Sequence, residues 1–261
     1  MDYKEFLPNL GLAKYVECFW TMNSQTVIGA EAKPVRVLPD GCIDIIFDFA
    51  HSKQYVVGTM ERPLLVTVTG NVDMLGIRFK PGGSQPFLRF MARDCTDKRV
   101  DLECFWGQVG SELFDQVIGI TGANQRIAHM EKYLRQELNA NSALCPYVQY
   151  SVAKIQELKG KISIKELERG TGICERQLER KFSKDIGVSP KAFARIVRFA
   201  NIIKLAQSSP SSLPPNWTHL ALTHGYFDQS HLIREFKEFS GVTPSSYFMS
   251  DLSKTQAAEL G

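Results

Sequence analysis

Residues 172–190, GICERQLERKFSKDIGVSP, determine the fold of the C-terminal half because this stretch occurs twice. Sliding the sequence along itself by 54 residues aligns seven pairs of identical or similar side chains. The pairs are Leu178 with Leu232, Arg180 with Arg234, Phe182 with Phe236, Gly187 with Gly241, Val188 with Val242, Pro190 with Pro244 and Phe193 with Tyr247. The chain therefore contains an internal repeat.

Each copy predicts a helix, a stop and the start of a second helix. In the first copy, Leu178, Phe182 and Ile186 recur every four residues, which places them on one face of a helix. Gly187 is the expected end of this helix. A hydroxyl residue followed by proline then opens the next helix in both copies.

A further short helix precedes each copy, at about residues 163–169 and 216–223. Ser163 with Glu166 three residues later has the form of a capping box. A short helix, a tight turn and a second helix with a polar outer face make a helix-turn-helix, whose second helix enters the major groove of DNA. The sequence therefore predicts two helix-turn-helix units.

Two such units, joined by a longer helix, resemble the DNA-binding domain of the AraC-type transcriptional regulators. The second unit matches the family pattern at Gly225, Tyr226, Asp228, Ser230, Leu232, Arg234, Phe236, Lys237, Gly241, Thr243, Pro244 and Tyr247. The resemblance covers roughly residues 147–249. It implies that two recognition helices enter successive major grooves on one face of double-stranded DNA.

The resemblance also implies which side chains face the DNA. Carried over by position, the base-contacting residues are Arg176, Glu179 and Arg180 in the first helix, and Gln229, Ser230, His231 and Arg234 in the second. Arginine can bond guanine, glutamine can bond adenine and glutamate can accept from cytosine. The alternative for each residue is a solvated helix face, and for Glu179 it is a role in orienting Arg176. We assign Lys181, Lys184, Lys191 and Lys237 to phosphates.

Cys174 and Asp228 occupy the aligned cap positions of the two recognition helices. Asp228 is a strong cap because its carboxylate accepts free amide protons and meets the positive end of the helix dipole. Cys174 is a poor cap. We interpret it as a small residue in this place and not as a redox sensor.

Charge is distributed unevenly along the 261 residues, whose formal net charge is +3. Residues 1–144 carry 15 basic against 17 acidic side chains, whereas residues 145–250 carry 15 against 9. The basic half is the half with the repeat, which favours a polyanionic partner. No apolar run is long enough to span a membrane. The six cysteines form no C-x-x-C pair, which indicates reduced thiols. We therefore expect a soluble, cytoplasmic protein.

The N-terminal half predicts a β-rich domain. Ile43, Ile45, Phe47 and Phe49 alternate with other residues, and similar short runs follow up to Phe79. We expect an antiparallel barrel or sandwich, similar to the cupin-like domain that AraC-type regulators often carry for an effector. Because His51 is the only histidine before His129, we expect the barrel to hold no metal. We also expect no cofactor and no catalytic residue.

Residues 84–138 predict several helices after the strands, the longest at about 124–138. Its apolar stripe, Ile127, Met130, Leu134 and Leu138, can pack on its own domain or pair with a second subunit. We therefore expect an α+β chain of two domains: a sensor or oligomerisation domain at 1–138, a linker at 139–146, an all-α double helix-turn-helix domain at 147–250 and a tail at 251–261.

The sequence favours a sequence-specific transcriptional regulator over two alternatives. In the first, the N-terminal domain binds a protein partner and no small molecule. In the second, it is an enzymatic or DNA-repair domain, which would need a nucleophilic or metal-binding cysteine in a setting that none of the six cysteines has. A small-molecule effector, a homodimer and contacts with RNA polymerase all remain open, and we expect no membrane partner.

Overall fold

The structure is a computed structural model that describes residues 1–24, 28–29, 34–138, 144–207 and 216–249. The strands lie within the first 101 residues, and the chain from Pro146 to Met249 is helical in its described part. This arrangement confirms the predicted α+β fold, with an antiparallel β-sheet in the N-terminal region and helices in the C-terminal region.

Eight strands form two antiparallel sheets in the described residues. They are β1 (Asp2–Phe6), β2 (Val16–Asn23), β3 (Val35–Val37), β4 (Ile43–Asp48), β5 (Lys53–Val57), β6 (Leu64–Val66), β7 (Asp73–Phe79) and β8 (Arg99–Asp101). The larger sheet has the order β1-β2-β7-β4-β5-β8, and β3 pairs with β6 alone. The described strands do not close into a barrel; the two sheets are the walls of one cavity, as in an open sandwich.

One face of the larger sheet forms the main N-terminal core. The predicted alternation in β4 is present, since Ile43, Ile45 and Phe47 are all buried. In the register of the sheet, Ile45 lies opposite Ile77 of β7. Because side chains of paired strands that lie opposite each other share a face, the alternating residues of β4 and β7 pack together.

The helices that follow the strands cover this core. They are α1 (Gln85–Leu88), a 3₁₀ helix (Ala92–Cys95), α2 (Glu103–Trp106), α3 (Gln108–Ile118) and α4 (Ala123–Glu137). In α4, Ile127, Met130 and Leu134 are buried in the same cluster as the sheet residues. The stripe on α4 therefore packs on its own domain, and its buried residues are not exposed to pair with a second subunit.

Three strands of the N-terminal half lie outside the alternating runs that the sequence analysis identified. Strands β1 and β2 precede those runs, and β8 (Arg99–Asp101) follows them. In β2 both faces are largely buried, from Cys18 to Thr21, so the period of two is lost. The exposed edge strand β8 has only three residues, too few for a recognisable pattern.

The C-terminal helices form two adjacent cores. They are α5 (Pro146–Glu157), α6 (Ile164–Thr171), α7 (Glu175–Asp185), α8 (Pro190–Gln207), α9 (Trp217–Thr223), α10 (Gln229–Ser240) and α11 (Pro244–Met249). Phe193 at the start of α8 packs in the first core, and Phe199 further along packs in the second. The long helix α8 thus joins the two units through shared hydrophobic packing.

Residues 139–143 of the predicted linker, residues 208–215, residue 250 and the predicted tail at 251–261 lie outside the described residues. Among the helices that the structure describes, none combines the length and the apolar character needed to cross a membrane.

Candidate nucleic-acid interface

Two helix-turn-helix units form the candidate interface, α6 with α7 and α9 with α10. The capping box is present at the start of α6: Ser163 Oγ accepts from the Glu166 amide at 3.2 Å, and the Glu166 carboxylate accepts from the Ser163 amide at 2.8 Å. The turns contain Gly172 with φ +73° and Gly225 with φ +80°, a conformation that favours glycine. Both predicted units are therefore present.

The first recognition helix is α7. Leu178 and Phe182 are fully buried, whereas Arg176, Glu179 and Arg180 on the other side are exposed. Across the described ranges, these three side chains make no hydrogen bond or ion pair within the chain, so Glu179 does not pair with Arg176. Their charged groups are available to an external partner, although their assignment to bases stays a prediction.

An arginine of the N-terminal region, Arg93, lies beside this helix. A cavity of about 510 Å³ is lined by Arg93 of the 3₁₀ helix together with Arg176, Gln177, Glu179, Arg180 and Ser183 of α7. Three guanidinium groups and one carboxylate thus border one cleft. Its electrostatic character is cationic, which suits an anionic partner.

The second recognition helix is α10, where Arg234 is exposed and has no hydrogen bond or ion pair to any described residue. Two other predicted base contacts are engaged locally. Gln229 Oε1 accepts from Thr218 Oγ1 at 2.7 Å, and His231 Nδ1 accepts from the Phe227 amide at 3.3 Å. Ser230 is exposed. Arg234 and Ser230 are therefore the two predicted base contacts on α10 that make no hydrogen bond or ion pair with a described residue.

The four lysines assigned to phosphates lie on α7, α8 and α10. Lys184, Lys191 and Lys237 are exposed, and Lys181 is half-buried with its ammonium 5.0 Å from the centre of the Tyr147 ring. Near them, burial raises the pKa of the Asp185 carboxyl at the end of α7, although Lys184 and Lys181 act in the opposite direction. The phosphate contacts themselves stay predictions.

The caps of the two recognition helices differ as the sequence indicates. Asp228 Oδ1 accepts from the His231 amide at 2.7 Å, whereas the Cys174 side chain makes no capping hydrogen bond. At the first unit, Glu168 Oε1 accepts from the Glu175 amide at 2.5 Å. The carboxylate of Glu168, seven residues upstream, thus satisfies one of the free amides at the start of α7, a role that sequence spacing did not indicate.

A buried carboxylate that the sequence analysis missed connects the second unit to α8. Glu235 on α10 is only 2% exposed, and it accepts from Arg195 Nε at 2.8 Å and from Arg198 Nη2 at 3.0 Å. Arg198 also stacks over Tyr226, 4.5 Å from the centre of its ring. These contacts hold the second recognition helix against the connecting helix.

A second cavity, of about 140 Å³, lies between the two sheets of the N-terminal region. Its walls are mainly apolar and include Trp20, Val35, Val37, Met60 and Val66. A cavity of about 150 Å³ with apolar walls can hold a molecule the size of benzene. This is the candidate effector cavity.

Charged groups are also among the residues that line the effector cavity. Arg78 is paired with Asp44 at 3.2 Å and with Asp40 at 3.6 Å. Burial raises the pKa of the Asp44 carboxyl, while the Arg78 guanidinium acts against this shift. Within the described residues, no group of three or more His, Cys, Asp or Glu side chains is placed to hold a metal ion.

Two family models match the chain, and each covers less than half of it. Residues 167–250 match a model described as "Helix-turn-helix domain". Residues 4–101 match a model described as "Domain of unknown function (DUF6597)". The C-terminal match, together with the two observed units, confirms the recognition of an AraC-type helix-turn-helix domain. No curated protein matches the chain.

Several solved structures are similar over most of the chain at low identity. ToxT from Vibrio cholerae O395 is 10% identical, with 95% of this chain and 96% of that chain covered and a TM-score of 0.42. ToxT from Vibrio cholerae strain SCE256, bound to an unsaturated fatty acid, is 9% identical, with 95% and 94% covered and a TM-score of 0.40. At this level the likeness says nothing about function.

Proposed function

We propose that this protein, whose C-terminal region is an AraC-type helix-turn-helix domain, is a sequence-specific DNA-binding transcriptional regulator. Its two recognition helices, α7 and α10, read successive major grooves of one duplex. The observation that carries the proposal is the repeated pair Arg180 and Arg234, both exposed and both without a partner in the described part of the chain. Exposed arginines at matching positions suit bidentate contacts with guanine.

The electrostatics of the C-terminal region support the same function. Residues 145–250, which contain the two units, carry 15 basic against 9 acidic side chains. Lysines and arginines that neutralise phosphates release counterions, which gives affinity for any duplex, while base contacts give specificity. The lysines are assigned to phosphates, and the arginines of the two recognition helices are assigned to bases.

Selection of binding sites from random DNA with the full chain tests this function. We expect enrichment of a site with two conserved blocks about one helical turn apart, roughly 10 to 10.5 base pairs between centres. A pool that shows no enriched sequence after several rounds, although the protein retains its helical circular dichroism spectrum, would refute the proposal.

We further propose that the N-terminal domain binds a small apolar effector in the cavity between the sheets. The support is the apolar walls of this cavity, together with the Arg78 and Asp44 ion pair among its lining residues. Mass spectrometry of the natively purified protein tests this idea. A bound small molecule that is lost on denaturation is expected, and a native mass equal to that of the chain alone after incubation with candidate ligands would contradict it.

A further inference from the structure

The N-terminal region holds both helix-turn-helix units at the same position of the repeat. Thr59 Oγ1 donates a hydrogen bond of 2.5 Å to the carbonyl oxygen of Ile186. Arg36 Nη1 donates to the carbonyl oxygen of Ser240. Ile186 and Ser240 are separated by the 54 residues of the repeat, and each is the residue before the glycine that ends a recognition helix.

Further contacts surround each of these two hydrogen bonds. At the first unit, Thr96 Oγ1 donates to the carbonyl oxygen of Gly187 at 2.8 Å, and Gln85 Nε2 donates to that of Lys184 at 3.3 Å. At the second unit, the side chain of Leu38 is 7% exposed because it packs in the core of that unit. Each attachment therefore consists of several contacts.

The two glycines that end the recognition helices fit closely against the N-terminal region. Gly187 and Gly241 have φ of +97° and +76°. A Cβ atom at Gly187 would lie 2.8 Å from Thr96 Oγ1, and one at Gly241 would lie 2.6 Å from Arg36 Nη1. Both positions thus combine a left-handed helix end, which favours glycine, with a close approach to the N-terminal region.

The attachment of both units to the N-terminal region restricts the distance between the two recognition helices more than the C-terminal contacts do alone. In the C-terminal region, the units are connected by helix α8, by the contacts of Glu235 and by a hydrogen bond from Lys161 Nζ to the carbonyl oxygen of Thr223. The N-terminal region contacts the ends of both α7 and α10, so it closes a ring that contains both units. A closed ring restricts the distance and the angle between the two recognition helices.

We propose that the N-terminal domain is a clamp that sets the separation of the two recognition helices, with Arg36 and Thr59 as its positioning residues. This inference rests on the proposed DNA binding. In this proposal, the N-terminal domain, which lies outside the helix-turn-helix units, determines the preferred spacing of the two DNA half-sites.

The clamp is also next to the candidate effector cavity. Val35 and Val37, on either side of Arg36, line that cavity, and so do Gly58 and Met60 on either side of Thr59. Neighbouring Cα atoms are only about 3.8 Å apart. An occupant that displaces this wall therefore moves both clamp residues, and the spacing preference changes with the occupant.

The first test compares spacing tolerance in full-length variants. Half-sites from the random-DNA selection are joined at the selected spacing and with one extra base pair, which shifts one half-site by about 3.4 Å. We expect the affinity penalty for the extra base pair to fall about fivefold in Arg36→Met and Thr59→Val, as for the loss of one hydrogen bond. Arg62→Ala is the matched control, because Arg62 is exposed and makes no hydrogen bond or ion pair in the described part of the chain.

The second test needs no DNA. Hydrogen exchange of the free protein should show faster exchange at the Gly241 amide in Arg36→Met and at the Gly187 amide in Thr59→Val, with neither change in Arg62→Ala. Unchanged exchange at these amides, or a spacing penalty equal to that of the control, would overturn the clamp. If the wild type binds no DNA, the proposed function fails, while hydrogen exchange still decides whether the clamp exists.

Discussion

In the proposed function, Arg234 and Arg180 are the residues on which DNA recognition depends most directly. Both are exposed, lie at matching positions of the repeat and have no ion pair in the chain as described. We expect Arg234→Ala to weaken binding to the selected site by about 1 to 3 kcal/mol and to relax specificity at one base pair. Fluorescence anisotropy with the selected site and with random DNA measures both effects.

The comparison between the two DNAs distinguishes base contact from phosphate contact. If Arg234→Ala weakens binding to random DNA as much as binding to the selected site, the residue contacts only phosphate. Arg62→Ala is the control matched in charge, since Arg62 is exposed and is not among the predicted DNA contacts.

The unequal helix caps allow a paired test of stability. Asp228 accepts from the amide of His231, so Asp228→Ala should lower the free energy of unfolding by about 1 kcal/mol. Cys174 makes no capping hydrogen bond, so Cys174→Ser should raise it by about 0.5 kcal/mol because the hydroxyl can accept from the first turn. Urea titrations followed by circular dichroism measure both. Equal effects of the two substitutions would contradict this account of the caps.

At the scale of elements, the contact between α8 and α10 depends on Glu235. This carboxylate is 2% exposed and is shared by Arg195 and Arg198. Glu235→Ala leaves two guanidinium groups without their buried partner, so we expect a loss of about 3 kcal/mol in the free energy of unfolding. Differential scanning calorimetry should show a lower melting temperature.

Glu238→Ala is the matched control for Glu235→Ala. Glu238 also pairs with Arg195, but its side chain is 52% exposed. An exposed ion pair of this kind contributes about 0 to 1 kcal/mol. Similar losses for the two variants would mean that burial does not determine the importance of Glu235.

Sequence patterns predicted the helices of the C-terminal region well because local signals define their ends. The Ser163 capping box, the glycine at 187 and the Ser189 hydroxyl before Pro190 are all present in the structure. The strands β1, β2 and β8 were not predictable in this way. Their positions depend on pairing with distant strands, as when β2 pairs with β7 some 50 to 60 residues later in the chain.

In the candidate site, too, local patterns predicted the features set by one helix but not those set by distant contacts. The exposed faces of α7 and α10 follow from the period of the helix, and the free arginines are where the repeat places them. Glu235 aligns with Lys181 in the repeat, so its sequence position suggests a solvated surface. It is buried because α8 brings Arg195 and Arg198 to it, and no local pattern contains that contact.

At the scale of the whole molecule, the largest feature hidden from the sequence is the contact between the two regions. Arg36 and Ser240 are 204 residues apart, and Thr59 and Ile186 are 127 apart. Neither pair belongs to a motif, and each hydrogen bond uses a backbone carbonyl as acceptor. Such contacts carry no preference for residue type on the acceptor side, so only the fold reveals them.

Salt dependence reports the electrostatic contribution of the molecule as a whole. Each phosphate neutralised by lysine or arginine adds about 0.9 to the slope of log affinity against log salt. We expect a steep decline for the wild type and a slope smaller by about 1 in Lys237→Ala, with similar losses on every DNA sequence. A flat salt response of the wild type would contradict the assignment of the lysines to phosphates.

Hydroxyl-radical footprinting of the full chain on its selected site tests the central claim most directly, namely that one chain reads two successive major grooves on one face of DNA. We predict two protected windows on each strand, separated by about one helical turn of 10 to 10.5 base pairs, and selective loss of the second window in Arg234→Ala. A single protected window, or two windows about half a turn apart on opposite faces, would contradict the claim.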